Sequence, residues 1–478
     1  MIDFVWLIVA VLSLWLTGVA TVGLIVKCTP TEPLPERAEF HGLAILLGVG
    51  VVSGFLFLWS LLGLPLRSGS LIIGLLGCLT AFAVHFRSRS NALAIATPAT
   101  PWSRLVYLLL AAIWVSLTIQ ALLTPQRLWD ERAIFGIKAI VLWEDNSINS
   151  EALTHPRFSQ YHPRYPLLLP LAECYITSWL GHADDRWGKL IPVLLAGGLW
   201  LSFTGVLSRR WGRDRGVLWG LLLATIPSLT VWEYGFLSAQ ADAVLGAFHG
   251  LTVLAIWDGL RTRRLSGPSS QSLRPWIIGG LAAACAVFVK DEGLAFLLVD
   301  ATAVSLLLNY QLISRRKTVN ASPMPWRHTV LPLGWAMLFP AATCVVWFWH
   351  RHRLPTTTEM TYFSRLTADS LQQGWDTLSW SLPHLAQRLF QEWSTWGLTW
   401  WGVLVAVLIY PSRTLQREQL FLLADIVGAL AALVVAGMLA PTPVAEHLGG
   451  SAHRFLLQIA PVGLLFIASQ FQEESPAK

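Results

Sequence analysis

Charge is the scarcest commodity in this chain. Only 13% of its 478 residues are Asp, Glu, Lys or Arg, against roughly 25% in a soluble domain. With a mean hydropathy of +0.54, this excludes an ordinary water-soluble globular protein. Alternating ten-residue segments are also missing, which argues against a membrane β-barrel. Cysteine is sparse: Cys28, Cys78, Cys174, Cys285 and Cys344 stand alone and mostly in apolar context, so neither a disulfide framework nor a cysteine metal cluster is expected. There is no tandem repeat and no low-complexity tract. The first residues, MIDFVWLIVAVLSLWLTGVATVGLIV, lack a basic leading region and exceed a signal peptide's apolar length, so they read as a retained span. The net charge of +6 comes from bases in short loops and is no nucleic-acid signal; no nucleic-acid partner is expected.

What the chain has is apolar length. Runs long enough to cross a bilayer, about 20 residues each, fall near 2–26, 41–63, 70–86, 103–124, 188–208, 215–232, 240–259, 275–291, 293–312, 329–350, 396–411, 418–440 and 452–470. The expected fold is all-α: a polytopic helical membrane protein with about thirteen transmembrane helices. Loops on one side hold 20 of the 34 Lys and Arg, which places that side in the cytoplasm by the positive-inside rule. A full crossing by 165–181 would break this pattern. That run carries Pro166, Pro170 and Glu173, and it is expected to be a re-entrant or interfacial helix at the outer surface. Loop 351–395 has room for one or two amphipathic surface helices.

The long polar stretch 125–164 then faces outward. It sets Asp130 and Glu131 side by side after Trp129, with Lys138 two turns further on the face of Glu131. A carboxylate there could accept a proton from an acceptor hydroxyl or amine, or hold a divalent ion. The plainer role for Asp130 is a helix N-cap; for Lys138 it is a snorkelling interfacial lysine. His162 and Arg164 open the next segment between prolines, and an Arg fork suits a phosphate. Asp242 begins a span, with His249 two turns deeper. Lys290, Asp291 and Glu292 form a short turn. Glu446, His447, His453 and Arg454 crowd the mouth of the last run, and Arg454 there is expected to head a helix, the wrong end for a cation. Trp129, Trp143, Trp187 and Trp232 could stack on a sugar or simply sit at the interface.

Several of these stretches, taken in order, resemble a known family: WDE at 129–131, IKA at 137–139, HPRYPLLLPL at 162–171, DDRWGKLIP at 184–192, RRWGRDRG at 209–216, ADAVLGAF at 241–248, KDEGLAF at 290–296 and HLGGSAHRFLLQIAP at 447–461. The chain is similar to the C superfamily (GT-C) of membrane glycosyltransferases, in the bacterial branch related to protein O-mannosyltransferases and the lipid A aminoarabinose transferase. The resemblance covers about 100–470. It implies an extra three-helix bundle at 1–100, a catalytic core at 101–312 with outer loop 125–187, and C-terminal helices at 313–478 with outer loops 351–395 and 441–453.

The resemblance further implies a glycosyltransferase of the bacterial inner membrane. It would move a sugar with inversion from a polyprenyl-phosphate donor to a lipid, glycan or protein acceptor on the outer face. Asp130, Glu131 and Asp242 would be the catalytic acids, with a shared divalent metal ion as an open alternative and no other cofactor. Lys138, His162, Arg164, Lys189, Lys290, Glu292, His447, His453 and Arg454 would contact donor phosphate or substrate. Lys189 stands where many relatives have Arg, and KDEG stands at 290–293 where Asn is frequent before the Glu-Gly, which leaves the donor contacts open. Two other activities compete with transfer: a transporter or flippase of lipid-linked sugars, favoured by charges midway along spans such as Asp300 and Asp425, and an O-antigen ligase or polymerase-like enzyme.

Overall fold

The computed structural model describes residues 2–87, 100–230, 233–265, 272–316, 327–355, 362–440 and 442–471. Among these residues the fold is helical throughout. Its helices are α1 Ile2–Cys28, α2 Arg37–Leu61, α3 Leu66–Arg87, α4 Pro101–Leu123, α5 Ile137–Glu144, α6 Leu168–Leu180, α7 Leu190–Trp211, α8 Arg213–Ala224, α9 Ala241–Leu265, α10 Arg274–Val289, α11 Glu292–Arg316, α12 Arg327–Arg351, α13 Ala368–Trp375, α14 Leu378–Phe390, α15 Thr399–Ile409, α16 Arg417–Leu439 and α17 Val444–Phe471. Helix starts are locally encoded. Thr100 accepts from the Ser103 N–H ahead of Pro101, and Glu36 with Glu39 forms a reciprocal capping box on α2.

Ten of the described helices are long and apolar enough to cross a membrane, so the polytopic helical architecture holds. The thirteen expected runs resolve into these ten and three shorter helices. α8 stops at Ala224 before Pro227, α10 spans 16 residues and α15 only 11. Proline explains the first: it cannot donate to the preceding turn, and it disfavours helix at the residue before it.

The segment 165–181 forms a short helix in place of a full crossing, as expected, but its burial decides against an interfacial position. α6 has 13 residues, about 20 Å at 1.5 Å per residue, too short to cross. Yet it does not lie on the outer surface: Leu168 through Ile176 are buried, and the helix packs among α1, α2, α3 and α5. Its apolar sequence reads as a membrane run because it is a core helix. Gly181, at φ +79, ends it in the left-handed conformation.

The first three helices do not stand apart from the rest. One continuous apolar core runs from Leu7 to Ala468. α2 meets α7 so closely that a Cβ on Gly42 would lie 2.3 Å from the Ser202 backbone nitrogen. Small residues let helix backbones approach in this way where lipid supplies no hydrophobic drive. α13 and α14 are the two short helices expected in loop 351–395.

The helices share two ends. One gathers the start of α9, α11 and α17 with the close of α4 and α10, and carries the candidate site. The other is rich in arginine. There Arg209 bridges Glu39 and Asp258 at 3.0 Å each, Arg210 pairs with Asp258, and Arg274 donates to the Thr29 carbonyl at 2.9 Å. Glu39, Arg209, Arg210, Asp258 and Arg274 line a cavity of about 430 Å³.

Candidate functional site

Asp242 is the centre of the site. It sits in the first turn of α9, fully buried, and four donors surround its carboxylate. Lys290 Nζ and Gln458 Nε2 each donate to Oδ1 at 2.9 Å, and Arg454 donates to Oδ2 through Nε at 3.0 Å and Nη2 at 2.8 Å. A buried acid with no partner would cost several kcal/mol; here charge-assisted hydrogen bonds offset that cost. Asp242 is therefore far more than a helix-start acid favoured by the dipole.

Arg454 joins Asp242 to Asp130, whose Oδ2 lies 2.9 Å from the same Nη2. Two acids 112 positions apart in sequence thus share one guanidinium. The side chains of Asp130 and Arg454 stay about one-fifth exposed, at 20% and 23%, so this part of the cluster meets solvent while Asp242 does not. Arg454 also lies over the Tyr234 ring, 4.8 Å from its centroid, and the His453 ring packs against the same tyrosine, tilted, at 4.8 Å. Burial and the neighbouring Glu233 push the Tyr234 hydroxyl up to about 12.

Lys290 closes α10 in extended conformation and reaches Glu292 Oε1 at 2.8 Å as well as Asp242. Burial works against its charge, but the two carboxylates outweigh it and hold the ammonium above its ordinary range. Asp291 points to Arg351, which grips it with two nitrogens at 2.9 and 3.1 Å. The KDE turn is thus no self-contained ion pair. Its three side chains tie α9, α10, α11 and α12 together.

The backbone at Asp130 is unusual. Asp130–Gly136 forms a wide π-helical turn leading into α5, and no side-chain cap is made at its start, so the N-cap role expected for Asp130 is not observed. Such turns recur at functional sites, because the wider winding re-aims side chains. Glu131 has a different task from Asp130. It is 1% exposed and accepts from the backbone N–H groups of Arg127, Leu128 and Ala239 at 2.7, 2.9 and 2.8 Å. Lys189 Nζ lies 3.7 Å from it and also donates to the Pro125 carbonyl. Glu131 and Lys189 therefore fasten the polar stretch to the segment before Asp242, and their polar atoms are committed to the protein.

Three expectations change. Arg454 does not head its helix: α17 starts at Val444, ten residues earlier, beyond the reach of the end-of-helix dipole. Its partners are Asp242 and Asp130, and Glu446 is exposed to solvent. Lys138 is not a snorkelling lysine; it is fully buried with Nζ over the Tyr165 ring at 5.4 Å. Arg164 donates through Nε and Nη2 to the Leu354 carbonyl at 3.3 and 3.1 Å, so its fork holds a loop. His162 adopts a left-handed φ of 50 and stacks on Tyr165. His447, partly buried, lies two turns before Arg454 on α17.

The residues do not fit the shared metal ion once open as an alternative. Arg454 occupies the position between Asp130 and Asp242, Asp242 is saturated by four donors, and the Glu131 oxygens are spent on backbone N–H groups. Of the tryptophans, Trp143 and Trp187 each carry an arginine over the ring, Trp129 is 70% exposed beside Asp130, and Trp232 lies outside the described residues.

Sequence reading missed Gln458, although its place one turn after Arg454 put it on the same face. It also missed Tyr234, for which the sequence carried no signal. Glu173 was noted only as a polar interruption. It is buried against Gln126 at 3.4 Å with its other oxygen unpartnered. Burial, reinforced by the nearby charge of Glu131, pushes its carboxyl up to about 8.

Comparison of the chain with protein-family models, curated proteins and solved structures finds no match.

Proposed function

We propose that this chain is a membrane glycosyltransferase acting at the end of the bundle that carries Asp242. The carrying observation is the Asp130–Arg454–Asp242 bridge: a solvent-accessible acid held in place by a buried ion cluster. A general base needs that combination, reachable by substrate and fixed in direction. Asp130 takes the proton of the acceptor hydroxyl or amine as it attacks the sugar carbon, and the donor phosphate departs. Arg454 contacts the acids through Nε and Nη2, which leaves Nη1 to donate to that phosphate. Arg351 and Arg388 bring further cations to the same end, paired with Asp291 and Glu392, and Arg388 also donates to the Gly449 carbonyl. Exposed Trp129 is placed to stack on a sugar ring. The donor is a polyprenyl-phosphate-linked sugar; the basic opposite end supports an outer-face site by the positive-inside rule, and a bacterial inner membrane is the proposed setting.

The proposal is tested with membranes containing the chain, a radiolabelled polyprenyl-phosphate sugar and native membrane acceptors. Label should move into the acceptor fraction, and Asp130→Asn should abolish most of that movement. A second reading, transport of a lipid-linked sugar, is favoured by one observation: Asp300, Asp425 and His249 meet deep in the bundle. Label that changes leaflet with the donor bond intact would support transport and exclude transfer.

A further inference from the structure

We propose that His249, Asp300 and Asp425 form a site for one divalent first-row transition-metal ion inside the helix bundle. The three residues come from α9, α11 and α16, are each 3% exposed or less, and can bring one ligand atom apiece within 4.8 Å of the others. His249 Nε2 lies 3.1 Å from Asp425 Oδ1 and 3.8 Å from Asp300 Oδ2. Ligands bound at zinc-like distances to one tetrahedral ion stand about 3.3 Å apart, between those two values.

The imidazole is oriented as a ligand. Its Nδ1 is 3.4 Å from the Gln458 main-chain carbonyl, so in the tautomer that carries the hydrogen on Nδ1 that nitrogen donates to Gln458 and Nε2 is left facing the carboxylates. A ligating histidine commonly donates its other nitrogen in this way. Phe296, stacked at 4.1 Å and nearly parallel, fixes the ring plane. Asp300 Oδ1 and Asp425 Oδ2 are buried without a hydrogen-bond partner. Lys290 and Arg454 pair with Asp242, and Asp300 and Asp425 face each other, so the two acids must share a proton or take up a cation of their own. One nitrogen and two oxygens suit zinc, manganese or iron better than calcium or magnesium, which favour oxygen alone. The site is separate from Asp242 and does not depend on the reaction proposed above.

The test uses full-length protein without a histidine tag, purified without chelator, with bound metals counted by mass spectrometry. Roughly one ion per chain is expected. A membrane-compatible chelator should lower the melting temperature, and zinc or manganese should restore it. Asp425→Asn and His249→Gln should lose the ion and the chelator response. Should either variant fail to fold, the wild-type count and chelator response still decide. Metal well below one ion per chain, with melting indifferent to chelator, zinc and manganese, would overturn the site and leave a proton shared by the two acids. Full metal retention in a folded Asp425→Asn protein would overturn it equally.

Discussion

Arg454 lays two nitrogens on a single oxygen of Asp242, Nε at 3.0 Å and Nη2 at 2.8 Å, and turns the second of them toward Asp130. One acid of the bridge is closed to water and the other is open. The buried contact anchors the guanidinium, and the guanidinium then sets the direction of the open acid. Structural and chemical duties are divided between the two carboxylates, so substitutions at each should have different consequences.

Asp242→Asn should be costly to the fold. It leaves Arg454 and Lys290 facing a neutral side chain in a buried setting, and breaking such a pairing typically costs about 3–5 kcal/mol. Thermal and chemical unfolding in detergent would measure this. A loss below about 1 kcal/mol, the scale of an exposed pair, would show that the cluster does not hold the helices together.

Asp130→Asn should behave in the opposite way. Asp130 is partly exposed, and Arg454 keeps Asp242, so stability should change little. Turnover should fall by at least ~100-fold, the lower range for removing a general base. Near-normal turnover would leave Asp130 as a rim charge only.

Arg454→Lys separates charge from geometry. A lysine can keep the charge beside Asp242, but one ammonium cannot reproduce the planar fork that spans both acids. We expect a folded protein with donor affinity and turnover both reduced. Restoration of full activity by lysine would refute the need for a fork.

Glu173 gives a pH signature. Its carboxyl titrates near 8 in the folded protein and near 4.3 when unfolded. Between these values the unfolded chain gives up a proton that the folded chain keeps, so stability falls as pH rises through the window. The contribution is fully present below the unfolded pKa, lost progressively up to about 8, and constant beyond, with a slope of up to about 1.4 kcal/mol per pH unit. Melting temperatures of wild type and Glu173→Gln at pH 5.5 and 8 would show it. Equal slopes in both proteins would contradict the assignment.

Orientation is open to labelling. In a background lacking the native cysteines, His155→Cys and Arg215→Cys both place the thiol at an exposed position. An impermeant reagent should reach 155 in intact cells and 215 only after the membrane is opened. The reverse pattern would invert every statement about the outer face.

The sequence by itself determined the helical membrane class, ten of the spans and the two unlike ends, because each rests on local properties: apolar length, caps, prolines and the side on which bases collect. It also named Asp130, Asp242, Lys290, Glu292 and Arg454 as candidates, since polar residues in so apolar a chain are few. It could not say who meets whom. Asp242 lies 212 positions from Arg454, and that contact depends on how α9 packs against α17. The adjacent acids Asp130 and Glu131 look alike in sequence, yet the π-helical turn aims one at Arg454 and the other at backbone N–H groups. Hydropathy likewise could not distinguish α6 from a span, because a helix enclosed by protein and a helix bathed in lipid bury the same apolar side chains. Only the packing of neighbouring helices decides which surroundings those side chains have, and hence which charges are free to do chemistry.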